Sequence, residues 1–222
     1  MLGEGRSSLL NADRTGAPAC TPRPHTPDMT TTTLLPASGY TAMPWRNGAG
    51  TTHEIAIDPT PGTSAAPFRW RLSMAELAGD GPFSELPDVD RILVLLAGDA
   101  VELTIAGATP AALQRHEAIA FPADVPTSLT MAPGAGRDLN LMWDRTRATG
   151  RVDVVAGGDS LALEEPLAFA VALGGPATVR LDGCDHLLGE QDALRIDGPA
   201  LLEVPHGAAY VAQLGTAAAA PG

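Results

Sequence analysis

The chain contains no lysine: all 14 basic residues among its 222 are arginines. That absence excludes Schiff-base chemistry and any lysine general base. Aromatic residues make up only 4% of the chain, and there are two cysteines, Cys20 and Cys184. Cys20 lies in a Pro/Thr-rich stretch and Cys184 in an expected turn. No disulfide framework is therefore indicated, and Cys184 reads as an ordinary turn thiol rather than a reactive one paired with His186. No apolar run approaches the roughly 18 residues that span a bilayer. No basic start followed by an apolar stretch marks a secretory leader. The expected location is the cytoplasm, with no membrane partner. Positive charge is scarce, with a net charge of −12 and a pI near 4.6. Such a chain, without a basic run, is repelled by phosphate backbones, so no nucleic-acid partner is expected.

What is present supports a sizeable core, with 45% hydrophobic against 18% charged residues. Residues 1–28, with Pro18, Pro22, Pro24 and Pro27, read as a disordered tail, and the natural product is expected to start at Met29. Residues 217–222 read as a second tail. Between them the dominant period is two. Phe68-Arg69-Trp70-Arg71-Leu72-Ser73-Met74 alternates apolar and polar, as a half-buried strand does. The runs Ile92–Ala97 and Val101–Ile105 are short, β-rich and bounded by Gly or Asp. Helical periodicity is weak, and Glu76-Leu77-Ala78 is soon broken by Gly79, Gly81 and Pro82. With 24 glycines and 20 prolines between short runs, the pattern is that of an all-β sandwich or barrel.

The second half echoes the first. Ile92–Gly98 is answered by Phe169–Gly175, Val101–Gly107 by Thr178–Gly183, and Arg115–Phe121 by Glu190–Ile196. Pro126–Met131 is answered by Pro199–Val204 and Leu139–Trp143 by Tyr210–Leu214. The offset starts near 77 and falls to about 71, as expected if the second copy has shorter loops. Each copy runs strand, Gly turn, strand, polar turn, strand, Pro, strand, strand, which is how a small jelly-roll barrel reads. Two such copies packed together make a bicupin. The competing reading is two unrelated hairpins in one β-sandwich.

A metal-binding cupin needs two histidines one residue apart on a strand, because alternate residues point into one cavity. The histidines are His25, His53, His116, His186 and His206, and no two are so spaced. No metal site and no cofactor are expected. There is no Gly-x-Ser-x-Gly elbow, and Asn47-Gly48-Ala49-Gly50 is followed by neither helix nor lysine, so it is not a phosphate loop. It reads either as a turn before a strand or as part of a binding site.

Polar residues nevertheless cluster beside structural ones. Trp45, Arg46 and Asn47 precede a strand carrying Glu54, with His53 on its opposite face. Arg71 and Ser73 share a strand face with Arg69, and Asp138 and Asn140 share another with leucines behind them. Phe83 and Ser84 lead to Asp90 and Arg91, read as a salt-bridged pair entering a long apolar strand. Polar groups on an inner barrel face need partners or a ligand that supplies them. The alternative is a structural ion-pair network of Arg71, Glu54 and Asp90.

At these residues the chain resembles the HutD/Ves family of bacterial proteins. The blocks are Met43-Pro-Trp-Arg-Asn-Gly-Ala-Gly-x-Thr-x-Glu54-Ile-Ala and Phe68-x-Trp-Arg-Leu-Ser-Met-Ala75. They continue with Gly81-Pro-Phe-Ser-x-x-Pro87-x-Val-Asp-Arg91 and Asp138-Leu-Asn-Leu-Met142. They occur in the family's order and spacing, within roughly residues 34–215. His53, where the family usually has a basic residue such as arginine, and Ala49, where Gly is common, depart from it. The resemblance implies a duplicated jelly-roll barrel, an RmlC-like bicupin without metal ligands. Residues 29–147 would form the first barrel with a pocket and 148–216 a second, smaller one. It implies a regulatory role in histidine utilisation or stress response, with a small carboxylate of the formylglutamate or urocanate class as ligand.

The leading expectation is a ligand-binding, non-enzymatic regulator, with a homodimer allowed for. Arg46 or Arg71 would clamp a carboxylate, Asn47, Ser73 and Asn140 would orient it, and Trp45 and Phe83 would wall the pocket. Glu54, Ser84, Asp90 and Arg91 complete the candidate set. The alternative is a metal-independent enzyme on a small carboxylate, with Glu54 or Asp90 as general base.

Overall fold

The computed structural model describes residues 30–45, 50–59, 66–131 and 134–218. Apart from one 3-10 turn at Ala37–Gly39, the regular structure of these residues is β-strand. In chain order the first strands are β1 (Thr31–Leu35), β2 (Thr41–Pro44), β3 (Gly50–Asp58), β4 (Trp70–Leu77), β5 (Gly81–Pro82) and β6 (Val89–Ala97). Then come β7 (Val101–Ile105), β8 (Ala111–Leu113), β9 (Ala118–Pro122), β10 (Thr127–Met131) and β11 (Gly136–Asp144). The remainder are β12 (Ala148–Ala156), β13 (Ser160–Leu163), β14 (Leu167–Ala172) and β15 (Ala177–Leu181). They end with β16 (Cys184–Leu188), β17 (Ala193–Asp197), β18 (Ala200–His206) and β19 (Ala208–Thr216).

These strands form four antiparallel sheets. The six-stranded one has the order β2-β3-β4-β11-β6-β9 and faces the four-stranded β5-β10-β7-β8. The five-stranded one has the order β1-β17-β14-β19-β12 and faces β13-β18-β15-β16. Strand for strand, β12–β19 occupy the order of β4–β11. The turns repeat as well. Ala106-Gly107 and Asp182-Gly183 both take positive φ between their strands, the geometry of a tight hairpin turn that follows sheet twist. His116 and Gln191 both have left-handed φ. The following Glu117 and Asp192 each bond back to the backbone N–H three residues earlier. Residues 145–147 connect β11 to β12, and β1 pairs with β17.

Alternation along the strands decides which side each residue serves. On β4, Trp70, Leu72 and Met74 face a core shared by the five- and six-stranded sheets, which also holds Leu139, Leu141, Phe169, Tyr210 and Ala212. Trp70 and Phe169 meet across it with ring centroids 5.6 Å apart. Each large side chain buried here contributes about 1.5–3 kcal/mol, so this layer joins the two pairs of sheets. The opposite faces build two further cores. Ala75, Leu77, Leu93, Leu95, Leu103 and Phe121 lie inside the first pair, and Ala170, Val179, Leu194, Ile196 and Val211 inside the second.

No free cysteine occurs among the described residues. Cys184 opens β16 and is disulfide-bonded, which replaces the expected turn thiol. No helix among the described residues is long and apolar enough to cross a membrane.

Candidate functional site

The inner face of the six-stranded sheet carries a polar row in the middle of an apolar core. Four adjacent strands, β3, β4, β11 and β6, supply it through their register. Asn140 on β11 lies opposite Ser73 on β4 and Leu93 on β6, and Ser73 in turn lies opposite Glu54 on β3. One step along, Asp138 stands between Ala75 and Leu95; one step the other way, Met142 stands between Arg71 and Arg91. Glu54, Arg71, Ser73, Arg91, Asp138 and Asn140 therefore share one side of one sheet.

Arg91 is the least expected member. Its side chain is 5% exposed, and its guanidinium carbon lies 4.8 Å from the centre of the Phe83 ring and 5.7 Å from that of Phe121. Cation–π contact on two rings partly replaces lost hydration. Burial, with the Arg71 charge acting the same way, still pulls its pKa down to about 10 against the pull of Asp138. Its Nε has no hydrogen-bond partner among the described residues. The expected salt bridge between Asp90 and Arg91 is not formed, because neighbours on a strand point to opposite faces. Asp90 instead accepts from Arg145 Nε at 2.9 Å, and Arg145 also holds Asp124 at 2.6 Å and the Val89 carbonyl.

Asp138 is fully buried, and desolvation raises its pKa to about 7 although Arg91, the Ala75 backbone and Asn140 oppose the rise. Asn140 Nδ2 donates to Asp138 Oδ1 at 2.5 Å. That bond leaves Asp138 Oδ2 and Asn140 Oδ1 buried and unsatisfied. Such groups are costly unless something else pairs with them.

Arg71 is already engaged. Its Nε donates to Glu54 Oε2 at 2.9 Å, and Nη2 lies 3.9 Å from Met43 Sδ. Both ends of this ion pair are about one-fifth exposed. The Arg71–Glu54 half of the structural network is present, without Asp90. Arg69 leaves the row, reaching Thr216 Oγ1 and Asp58. Trp45 packs against the first core and donates from Nε1 to Thr52 Oγ1 at 2.8 Å. Phe83 forms the wall under Arg91, whereas Ser84 is exposed. His53 turns to the opposite face, 3.5 Å from Glu76. Arg46 and Asn47 lie outside the described residues. Among the described residues no three His, Cys, Asp or Glu side chains gather where they could hold a metal.

Only the Arg71 end of the row has a polar counterpart in the second pair of sheets. Where β11 runs between β4 and β6, β19 runs between β12 and β14 in matching register. Asp138, Asn140 and Arg91 correspond to Ala209, Val211 and Ala168, all buried and apolar. Arg71 and Met142 correspond to Arg151 and Gln213, which bond each other at 3.0 Å. The cavities elsewhere are of a different kind. A notch of about 450 Å³ is lined by Asp153–Val155 and Gly158–Leu161, and one of about 210 Å³ by residues around Gly98, Arg115 and Gly136. Neither contains a residue of the row.

The candidate set read from the sequence leaves out Asp138, although its spacing of two from Asn140 is visible there. It also leaves out Phe121, which comes from β9 and is placed by strand pairing alone.

Residues 37–212 match the HutD family. An uncharacterised 21.2 kDa protein in the hutC 3′ region of Pseudomonas putida is 33% identical over 74% of this chain and 86% of its own length. Protein Ves of Citrobacter koseri is 41% identical over 50% of this chain and 56% of its own length. Among solved structures, HutD from Pseudomonas fluorescens SBW25 superposes with a TM-score of 0.74 at 26% identity, covering 85% of this chain and all of that one. The Escherichia coli pirin YhhW, at 9% identity and a TM-score of 0.54 over 86% of this chain and all of that one, shares the fold alone. With the match spanning most of the described strands, the chain belongs to the HutD family.

Proposed function

We propose that the protein is a small-carboxylate binder with a regulatory role in histidine utilisation, and that its ligand sits on the inner face of the first pair of sheets. The supporting observation is the trio Arg91, Asp138 and Asn140. All three are buried and each has an unsatisfied polar atom, while the matching positions of the second pair are Ala and Val. A guanidinium with an open Nε suits a carboxylate. The open oxygens of Asp138 and Asn140 suit a hydrogen-bond donor on the same ligand. Arg91, rather than the Glu54-bound Arg71, is therefore the anchor, with Phe83 and Trp45 as walls. Family membership and the hutC-region relative support the histidine-utilisation context.

The same reading takes the two pairs of sheets as a duplicated jelly-roll, a bicupin. Their identical strand order and repeated turns support this. The first module carries the site, and the second, filled with Ala, Val, Leu and Ile, completes the fold.

A thermal-shift screen of formate, urocanate and formylglutamate tests the proposal. At least one acid is expected to raise the melting temperature of the wild type and leave Arg91→Gln unmoved. The variant's folding is checked by circular dichroism, because Arg91→Gln lifts a buried charge but also removes the cation facing Asp138 and the contacts on Phe83 and Phe121. A shift that survives in Arg91→Gln would remove Arg91 as the anchor.

One observation favours a second reading. A buried carboxyl with a pKa near 7 is also what a general acid–base catalyst requires, so Asp138 replaces Glu54 and Asp90 as the candidate base of a metal-independent enzyme. Turnover of any of these acids by the wild type, absent in Asp138→Asn, would establish that reading over the binding one.

A further inference from the structure

The strand order leaves β12 on the outside of the five-stranded sheet. It pairs with β19 along all nine residues, Ala148–Ala156, without a register shift, and no described strand lies along its other side. Long regular edges invite pairing, and folds usually blunt them with proline, a bulge, charge or a covering segment. β12 has no proline and no bulge, and its only charged residues are Arg151 and Asp153. The notch beside Asp153, Val154 and Val155 leaves this stretch open, and Val154 is 49% exposed.

We propose that β12 is a dimerisation edge, pairing antiparallel with β12 of a second copy about a two-fold axis through Val152. The charges select that register. Centred on Val152, each Arg151 lies directly opposite the partner's Asp153, and the contact occurs twice by symmetry. Directly opposed side chains have Cβ atoms about 4.5–5.5 Å apart, and like charges placed so repel. Centring on Arg151 or on Asp153 would set like charges against each other. Both side chains are free enough to turn outward, at 44% and 42% exposure, and their contact with each other is only 3.9 Å. Arg151 also bonds Gln213 at 3.0 Å and lies 3.8 Å from Glu164, contacts that orient it. On the other face Val152 meets its own copy, and Val154 comes beside the partner's Gly150, which that copy's own Trp143 ring already overlies. The apolar layer to which Val152 already belongs thereby extends across the axis.

Sedimentation velocity on the full chain tests this with Arg151→Asp, Asp153→Arg and the double exchange, folding being checked by circular dichroism. The wild type should be a dimer. Each single reversal should raise the dissociation concentration by about tenfold or more, and the double exchange should restore the wild-type value. A wild type that stays monomeric up to its solubility limit would overturn the proposal, as expected if residues 1–29 cover the edge instead. A dimer insensitive to both single reversals would place the interface elsewhere. A folded double variant that stays dissociated would overturn the register.

Discussion

Arg91 brings a charge into an apolar interior and leaves one nitrogen unbonded, and Asp138 beside it holds its proton up to a pKa of about 7. Both cost stability, as groups serving a ligand often do. Because folding raises the pKa of Asp138 from 3.8, the native state keeps a proton that the unfolded chain releases between those values. Its contribution is thus greatest below pH 4 and is lost as pH rises towards 7. Asp138→Asn removes this dependence. From pH 5 to pH 8 the wild type should lose on the order of 2 kcal/mol more unfolding free energy than the variant, read from urea titrations. Equal slopes would mean that Asp138 is ionised throughout. His116 acts in the opposite sense. Burial and the neighbouring Arg115 lower its pKa, so its contribution is present above 6.5 and is lost as pH falls below that value. Its Nδ1 lies 3.0 Å from the hydroxyl of the fully buried Tyr210, a link between the two pairs of sheets. Tyr210→Phe should cost about 1–2 kcal/mol in urea denaturation; a neutral result would mean that the contact is not a hydrogen bond in solution.

Among the elements, those with strong alternation were legible and those defined by their neighbours were not. Trp70–Met74 alternates clearly and lies within β4, and Val101–Ile105 is β7 residue for residue. β12 is not legible in the sequence, since Ala148–Ala156 mixes Gly, Thr and two charges and becomes a strand by pairing with β19. Adjacency in sequence makes Asp90 and Arg91 look like a pair; a strand sends adjacent side chains apart, so each has another environment. The sequence offers Gly50 either as a turn glycine or as part of a binding segment, but its requirement in the fold is steric. A Cβ there would lie 2.2 Å from the Glu76 carbonyl and 3.1 Å from the Trp45 ring. Gly50→Ala must push β3 from β4 or displace the indole that bonds Thr52. A loss of about 1–3 kcal/mol is expected, seen as a lower thermal midpoint with altered Trp45 fluorescence. An unchanged midpoint would show that this end of β3 is loosely held.

For the molecule as a whole, the five echoed segments fall on strands that take the same places in their sheets, β6 with β14, β7 with β15, β9 with β17, β10 with β18 and β11 with β19, while the matching of β4, β5 and β8 with β12, β13 and β16 lies outside the echo. What the echo could not show is how the two pairs meet. The shared core joins residues such as Trp70 and Phe169, distant in sequence and aligned only by packing. Nor could it show that β1 joins the second pair. The two pairs of sheets differ in polarity at matching positions: Arg91, Asp138 and Asn140 in one, Ala168, Ala209 and Val211 in the other. Calorimetric titration of urocanate and formylglutamate into the wild type, Arg91→Gln and the control Arg151→Gln tests the proposed site most directly. Binding is expected in the wild type, preserved in Arg151→Gln and at least about tenfold weaker in Arg91→Gln. Loss of binding in Arg151→Gln with Arg91→Gln unaffected would contradict it.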